Sequence, residues 1–375
     1  MGVGLDMSTL HSPGGVADRL LARMGVPPPL AQGHLSDDEY DLWMRTSHGG
    51  WITDGPFDGM VIPAVDADIR SAYAAVAVLL GWWSYWVART VRSVDVTAAF
   101  RHFICAPDLR AGMCDPRTWR RWGFTRVLIR AHGEIVPISP WGPHGTSLRM
   151  GPTWCDELHV AWLDAVGATV LAGRPVEVVE AVHLDPQGCI EGLRPVYAAG
   201  HVLDPASDPA AALVRLRRAT AAAGRTREAD ALRVVGSSMV YGNAAREDGD
   251  PNGVGRPGPW NFPPLAACVT AGSRAVLAII EAEASERHSA LAARDTDGVT
   301  FLASPLGGDL DLGDRGHHHV LSWAEVDEIL RPFDALDPFR DGSPFWDVKR
   351  EDEGQPLRTV VWGSKRYDFF TGGSR

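Results

Sequence analysis

Cysteine is sparse in this chain of 375 residues, and its spacing excludes most of its chemistry. Cys105, Cys114, Cys155, Cys189 and Cys268 contain no Cys-x-x-Cys pair. Neither a zinc site nor a disulfide framework is indicated, and a reducing cytoplasm is the better setting. Lysine is scarcer still. Only Lys349 and Lys365 occur, so arginine carries nearly all the positive charge. No basic start followed by an apolar block opens the chain, which argues against a signal peptide. No period of 20–50 residues is visible, which excludes a solenoid or propeller. There is no G-x-S-x-G or H-E-x-x-H, and the glycine-rich stretch 249–258 lacks the Gly-Lys-Ser/Thr ending of a phosphate-cradling loop. A long membrane-spanning run is missing too. The apolar stretch 72–88 falls short of the ~20 residues a span needs and contains Gly81 and Ser84. A buried helix is the more economical reading, with no membrane partner.

What is present is an ordinary globular composition, with 45% hydrophobic and 22% charged residues, enough to build one large domain or two smaller ones. The net charge of −11 argues against a general nucleic-acid binder and predicts modest, salt-sensitive DNA affinity. The charge is unevenly spread, however. Seven arginines fall between residues 101 and 133 and six between 211 and 233, while acid gathers at 247–250 and 351–353.

Periodicity and breakers predict a helix over 16–24, a proline-rich break at 27–29, and a short buried strand over 61–68 with a helix following to about residue 91. Residues 126–138 read as two strand-like runs around 131–134, a hairpin. A helix over 162–173 and a strand over 176–184 come next. Residues 208–223 and 226–241 read as an antiparallel helical hairpin with its turn at 222–225. Beyond the breaker 257–264, residues 265–285 form a long apolar helix. A strand over 298–304, an acidic glycine-rich loop over 307–316, a flexible loop around His317–His319, a helix over 322–330 and a final strand-like run over 359–369 complete the order. Strands mixed with segregated helices indicate an α+β class.

The chemistry concentrates in three places. Asp68 ends the strand over 61–68, and Asp295-Thr296-Asp297 stands between two apolar runs, where a hairpin turn fits. A carboxylate at a strand end and a pair at a hairpin turn can meet on one sheet face. Phosphoryl transfer uses two divalent ions about 3.5–4 Å apart, held by carboxylate oxygens. Taken alone, the same residues also fit a helix cap and a tight turn. Arg215, Arg217, Arg218, Arg225, Arg227 and Arg233 lie along the helical hairpin, where guanidinium forks suit a triphosphate or a solvated face paired with Glu228 and Asp230. Tyr73, five residues beyond Asp68, can stack beneath a sugar or fill the core.

Asp68-Ile69-Arg70-Ser71-Ala72-Tyr73 resembles the first palm motif of family B DNA polymerases, D-x-x-S-x-Y-P, with Ala74 at the proline. Residues 232–242 resemble the second, with Arg233 at its lysine, Ser237 at its asparagine, and Tyr241-Gly242 one residue late. Arg294-Asp295-Thr296-Asp297-Gly298 resembles the D-T-D-S motif, with glycine at the serine. Ser364-Lys365-Arg366-Tyr367 resembles K-x-Y, and Ser47-His48-Gly49-Gly50 stands where Y-x-G-G falls, without its tyrosine. Residues 257–270 and 321–336 are similar to a bacterial branch of the family.

The resemblance covers most of residues 10–371. It implies an antiparallel palm sheet backed by helices, with an inserted helical-hairpin fingers element. In domain terms these are an N-terminal segment 1–60, a first palm part 61–206, fingers 207–242 and a second palm part 243–375. No exonuclease domain and little or no thumb is expected in this chain. Two magnesium ions, with manganese as a substitute, would be held by Asp68, Asp297 and Asp295. Tyr73, Arg218, Arg233 and Tyr241 would bind the nucleotide, and Gly49, Gly50, Lys365 and Tyr367 the DNA. The implied partners are primer–template DNA, deoxynucleoside triphosphates and a separate exonuclease or thumb subunit, in a nucleoid-associated, cytoplasmic place. The leading function is DNA-directed DNA polymerisation. A non-catalytic nucleic-acid-binding remnant, or one part of a split polymerase, is the alternative. A metal-dependent phosphodiesterase reusing the carboxylates is a third.

Overall fold

Strand Val61–Ile69 organises the molecule, because its two faces have different jobs. Side chains alternate across a strand. Val65, Ala67 and Ile69 therefore point to one face, where they join the main core with helices Ala72–Leu80, Trp162–Ala172 and Pro263–Glu286. Ile62 points to the other face, into a smaller cluster with Phe57, Ala292, Leu302 and Val320. Asp66 and Asp68 share that second face. The structure is a computed structural model that describes residues 12–57, 59–138, 153–198, 201–249, 255–311, 313, 316–339, 342–352, 355–363 and 366–371.

Val61–Ile69 lies inside a ten-stranded sheet. On one side it pairs antiparallel with Gly298–Ser304, which continues through Leu291–Asp295 to Ile52–Asp54. On the other side Trp346–Lys349 covers its C-terminal half and Gln355–Gly363 its N-terminal half. The run expected over 359–369 is in fact two strands, Gln355–Gly363 and Arg366–Thr371, paired antiparallel. A second sheet of four strands runs in the order Thr90–Asp95, Glu177–Gln187, Thr125–Glu134, Thr153–Ala161. The class is mixed α+β.

The structure changes several sequence expectations. The helix expected to reach residue 91 stops at Leu80, where Gly81 adopts φ +75°, and resumes only as Trp82–Trp86. Both pieces are buried, and Thr90 already begins a strand. Residues 126–138 do not form a hairpin. Thr125–Glu134 is one strand whose neighbours are Thr153–Ala161 and Glu177–Gln187. Register shifts along it absorb Gly133 at φ +90°. The expected loops at 307–316 and at the three histidines contain paired strands, Gly308–Asp311 and His317–Ser322. Buried Val320 and Leu321 anchor them, and Asp309 and Asp311 face His319 and His317 across the ladder.

Among the described residues, Pro263–Glu286 is the helix long and apolar enough to cross a membrane. It is the buried spine of the fold. Arg274 at its centre is fully buried against Asp164 of helix Trp162–Ala172, with Nε–Oδ1 at 2.7 Å and Nη2–Oδ2 at 2.9 Å.

Candidate active site

Asp68 faces Gly298 on one neighbouring strand and Asp347 on the other. Gly298 leaves the room this requires. A Cβ built there would stand 2.1 Å from Asp68 Oδ1, so the glycine at 298 lets the carboxyl group lie over the strand. Asp295 and Asp297 flank the turn between Leu291–Asp295 and Gly298–Ser304. Thr296 holds that turn at φ +60°, a costly conformation for a β-branched residue. It persists because the backbone is tied on several sides. Thr296 N–H donates to Trp51 O (2.9 Å), Asp297 N–H to Asp295 O (2.6 Å), and Ile69 N–H to Asp297 O (2.9 Å).

The loop before Trp51 also holds the turn. A Cβ at Gly50 would meet Thr296 Oγ1, Cγ2 and Cβ at 2.5–2.8 Å, so the loop seats against the turn only because residue 50 is glycine. Behind it, Arg274 donates from Nη1 to the carbonyls of His48 and Gly49, and Thr270 Oγ1 donates to His48 O at 2.8 Å. The buried Arg274–Asp164 pair thus reaches the Asp295–Asp297 turn through two contacts.

A cleft of about 810 Å³ brings most of the expected residues together. Asp68, Asp295, Asp297 and Tyr73 line it together with Arg217, Arg218 and Arg233. The arginines come from two antiparallel helices, Pro209–Ala222 and Thr226–Ser237. Asp208 caps the first arm, accepting from the N–H groups of Ala210 and Ala211. The second arm ends four residues earlier than expected as an α-helix and widens into a π-turn, Ser238–Gly242. Such a turn takes up an extra residue. It seats Tyr241 against Tyr73, with ring centroids 4.7 Å apart, although Tyr241 falls late in the sequence motif.

The electrostatics are polarised. Burial raises the pKa of Asp68, and nearby Asp347 and Asp295 raise it further, even though the carboxyl group opens to solvent at the cleft mouth. Burial and Asp68 push Asp66 up to about 7, against a hydrogen bond from Thr300 Oγ1 at 2.9 Å. Burial pushes Tyr73 up to about 12, with Tyr241, Asp297 and Asp295 adding to it. Among the cleft arginines, burial and then Arg233 and Arg218 lower the pKa of Arg217. Arg217 donates to Ser71 Oγ at 3.0 Å, and Arg218 stands 4.9 Å over the Phe339 ring.

Asp68, Asp295 and Asp297, expected to converge on an ion, all line this one cleft. Among the described residues no three aspartate, glutamate, histidine or cysteine side chains close on a common point. Carboxylates held in a recess repel one another, and these three share the cleft without forming a cage. The donor set still suits a hard cation, because magnesium takes one or two carboxylates and completes its shell with water and phosphate oxygens. Gly49 and Gly50 lie behind the acidic turn. Tyr367 lies in strand Arg366–Thr371 opposite Val361, and Lys365 falls outside the described residues. Sequence reasoning missed Asp347 and Asp66. Asp66 was legible as the residue two before Asp68 on the same strand face. Asp347 had no signal, since only strand pairing brings it beside Asp68.

No protein-family model and no curated protein matches the sequence. Solved structures do match. The orthorhombic crystal form of Phi29 DNA polymerase aligns over 98% of this chain and 59% of its own, at 11% identity and a TM-score of 0.50. Phi29 DNA polymerase complexed with single-stranded DNA aligns over 97% of this chain and 57% of its own, also at 11% identity and 0.50. The fold is similar to that of a DNA polymerase. The chain spans less than three-fifths of the length of those polymerases, and at this identity the likeness concerns the fold.

Proposed function

We propose that the protein is a DNA-directed DNA polymerase of the family B type, adding deoxynucleotides to a primer 3′ end. The observation that carries this reading is one cleft lined both by Asp68, Asp295 and Asp297 and by Arg217, Arg218 and Arg233. A triphosphate needs cations at its phosphates and carboxylate-bound metal at its reacting end, and this cleft supplies both donor types.

Asp68 and Asp297, with Asp295 beside them, would hold two magnesium ions, or manganese in their place. When bound, such ions activate the attacking hydroxyl and neutralise charge on the leaving group. Arg217, Arg218 and Arg233 bind the triphosphate by charge-assisted hydrogen bonds. Tyr73, braced by Tyr241, lies beneath the sugar and leaves no space for a 2′-hydroxyl. Gly49 and Gly50 lie on the template side, and Lys365 and Tyr367 contact the primer. The single-stranded DNA bound by the similar Phi29 polymerase supports DNA as the partner. In this reading the sheet is the palm, the helical hairpin is the fingers, a separate chain supplies exonuclease or thumb functions, and the protein works at the nucleoid in the cytoplasm.

A second reading, a DNA-binding protein of the same fold without catalysis, is favoured by Arg233 and Gly298, which stand where the resembled motifs carry lysine and serine. A primer-extension assay with magnesium and then manganese separates the two. Nucleotide-dependent, template-directed extension supports the polymerase. DNA binding without extension supports the second reading, and degradation without nucleotides refutes both in favour of a phosphodiesterase.

A further inference from the structure

Lys349 is the sole lysine among the described residues, and its surroundings are acidic. Strand Trp346–Lys349 places Asp347 opposite Asp68 and Lys349 opposite Asp66. By alternation, both side chains share the open face with Asp66 and Asp68. Lys349 is exposed and makes no ion pair among the described residues. Its charge acts on Asp66 only through space. A second groove of about 640 Å³ opens here, with Asp66, Asp68, Asp347, Glu351, Lys349 and Arg350 as its charged lining and Trp323 beside them. It meets the main cleft at Asp68 and Asp347. Arg350 is engaged, donating to Asp327 and standing 5.9 Å from the Trp323 ring centroid.

A polyanion crossing this face would meet four carboxylates, and the ammonium group of Lys349 is the uncommitted cation beside them. A flexible, strongly hydrated point charge suits a phosphodiester, whose contact needs no fixed fork. We propose that this groove holds the DNA strand whose 3′ end stands at Asp68, and that Lys349 contacts a backbone phosphate just upstream of that end. The proposal rests on the polymerase reading and extends it to a site outside the nucleotide cleft.

The test is equilibrium binding of a labelled primer–template duplex to the full chain between 50 and 200 mM salt, for wild type, Lys349→Ala and Lys349→Arg. Each phosphate contact contributes about 0.9 to the slope of log affinity against log salt. Lys349→Ala should flatten that slope by about one contact and weaken binding several-fold at the lower salt. Lys349→Arg should keep both. Thermal unfolding of all three proteins should coincide, since the side chain is exposed. An unchanged slope and affinity in Lys349→Ala, with wild type binding in a salt-dependent way, overturns the groove assignment and leaves Lys349 as a neighbour that tempers Asp66. If wild type neither binds nor extends the duplex, the polymerase reading falls and takes this proposal with it.

Discussion

The buried Arg274–Asp164 pair offers the sharpest perturbation, because stability and site geometry depend on it in separable ways. Both side chains are fully buried and joined by two hydrogen bonds of 2.7 and 2.9 Å. Asp164→Ala leaves a guanidinium charge in the core without its counter-ion, a loss of about 3–5 kcal/mol. A chain of 375 residues unfolds with an entropy of roughly 0.8 kcal/mol/K at about 2.1 cal/mol/K per residue. The expected fall in Tm is therefore about 4–6 °C. Replacing both partners, Asp164→Leu with Arg274→Met, removes the stranded charge and should recover most of that loss. It does not restore the donors to the carbonyls of His48 and Gly49. Amide hydrogen exchange then reads the site directly. The Thr296 N–H, bonded to Trp51 O at 2.9 Å, should exchange faster in the double variant than in wild type, despite similar Tm values. Asp164→Ala melting within 1 °C of wild type would refute the energetic argument. A double variant with wild-type exchange at Thr296 would refute the link from the core pair to the acidic turn.

Three further outcomes follow from the cleft. Gly50→Ala places a methyl carbon within 2.8 Å of Thr296 Cβ, so it should cost about 1–3 kcal/mol by overpacking and lower nucleotide addition, read by thermal melting and extension rate. Arg217→Ala should raise the KM for nucleotides about tenfold or more, given about 1.5–3 kcal/mol for a charge-assisted hydrogen bond. An unchanged KM would remove the helical hairpin from the triphosphate site. Tyr73→Ala should admit ribonucleotides far more readily while Tyr73→Phe keeps the preference for deoxynucleotides, because ring volume against Tyr241 does the excluding. A competition assay in which Tyr73→Ala discriminates as wild type does would leave Tyr73 a core residue.

The parts legible in the sequence were those set by local pattern. The strand before Asp68, the helical arms and the long apolar helix follow from hydrophobic periodicity and from caps such as Asp208. The turn of Asp295–Asp297 was legible because polar residues interrupt two apolar runs. What stayed hidden depends on pairing or backbone geometry. Asp347 reaches Asp68 only through the pairing of two strands far apart in the chain. The break at Gly81 needs a left-handed residue inside an otherwise helical run. The π-turn at Ser238–Gly242, which seats Tyr241, leaves no mark on hydrophobic periodicity. The acidic and histidine stretches read as loops because their pairing is cross-strand, Asp309 with His319 and Asp311 with His317.

The central claim is that the carboxylates lining this cleft act on a nucleotide with divalent metal. The most direct measurement is single-turnover incorporation of one templated deoxynucleotide by wild type, Asp68→Asn and Asp297→Asn in magnesium, with thermal melting of each protein alongside. Each substitution removes one charge at a cleft residue and keeps the side-chain shape. The account predicts incorporation by wild type, loss by a factor of a hundred or more in both variants (about 2.7 kcal/mol of barrier), and melting that stays close to wild type. Incorporation by the folded variants at the wild-type rate would contradict it.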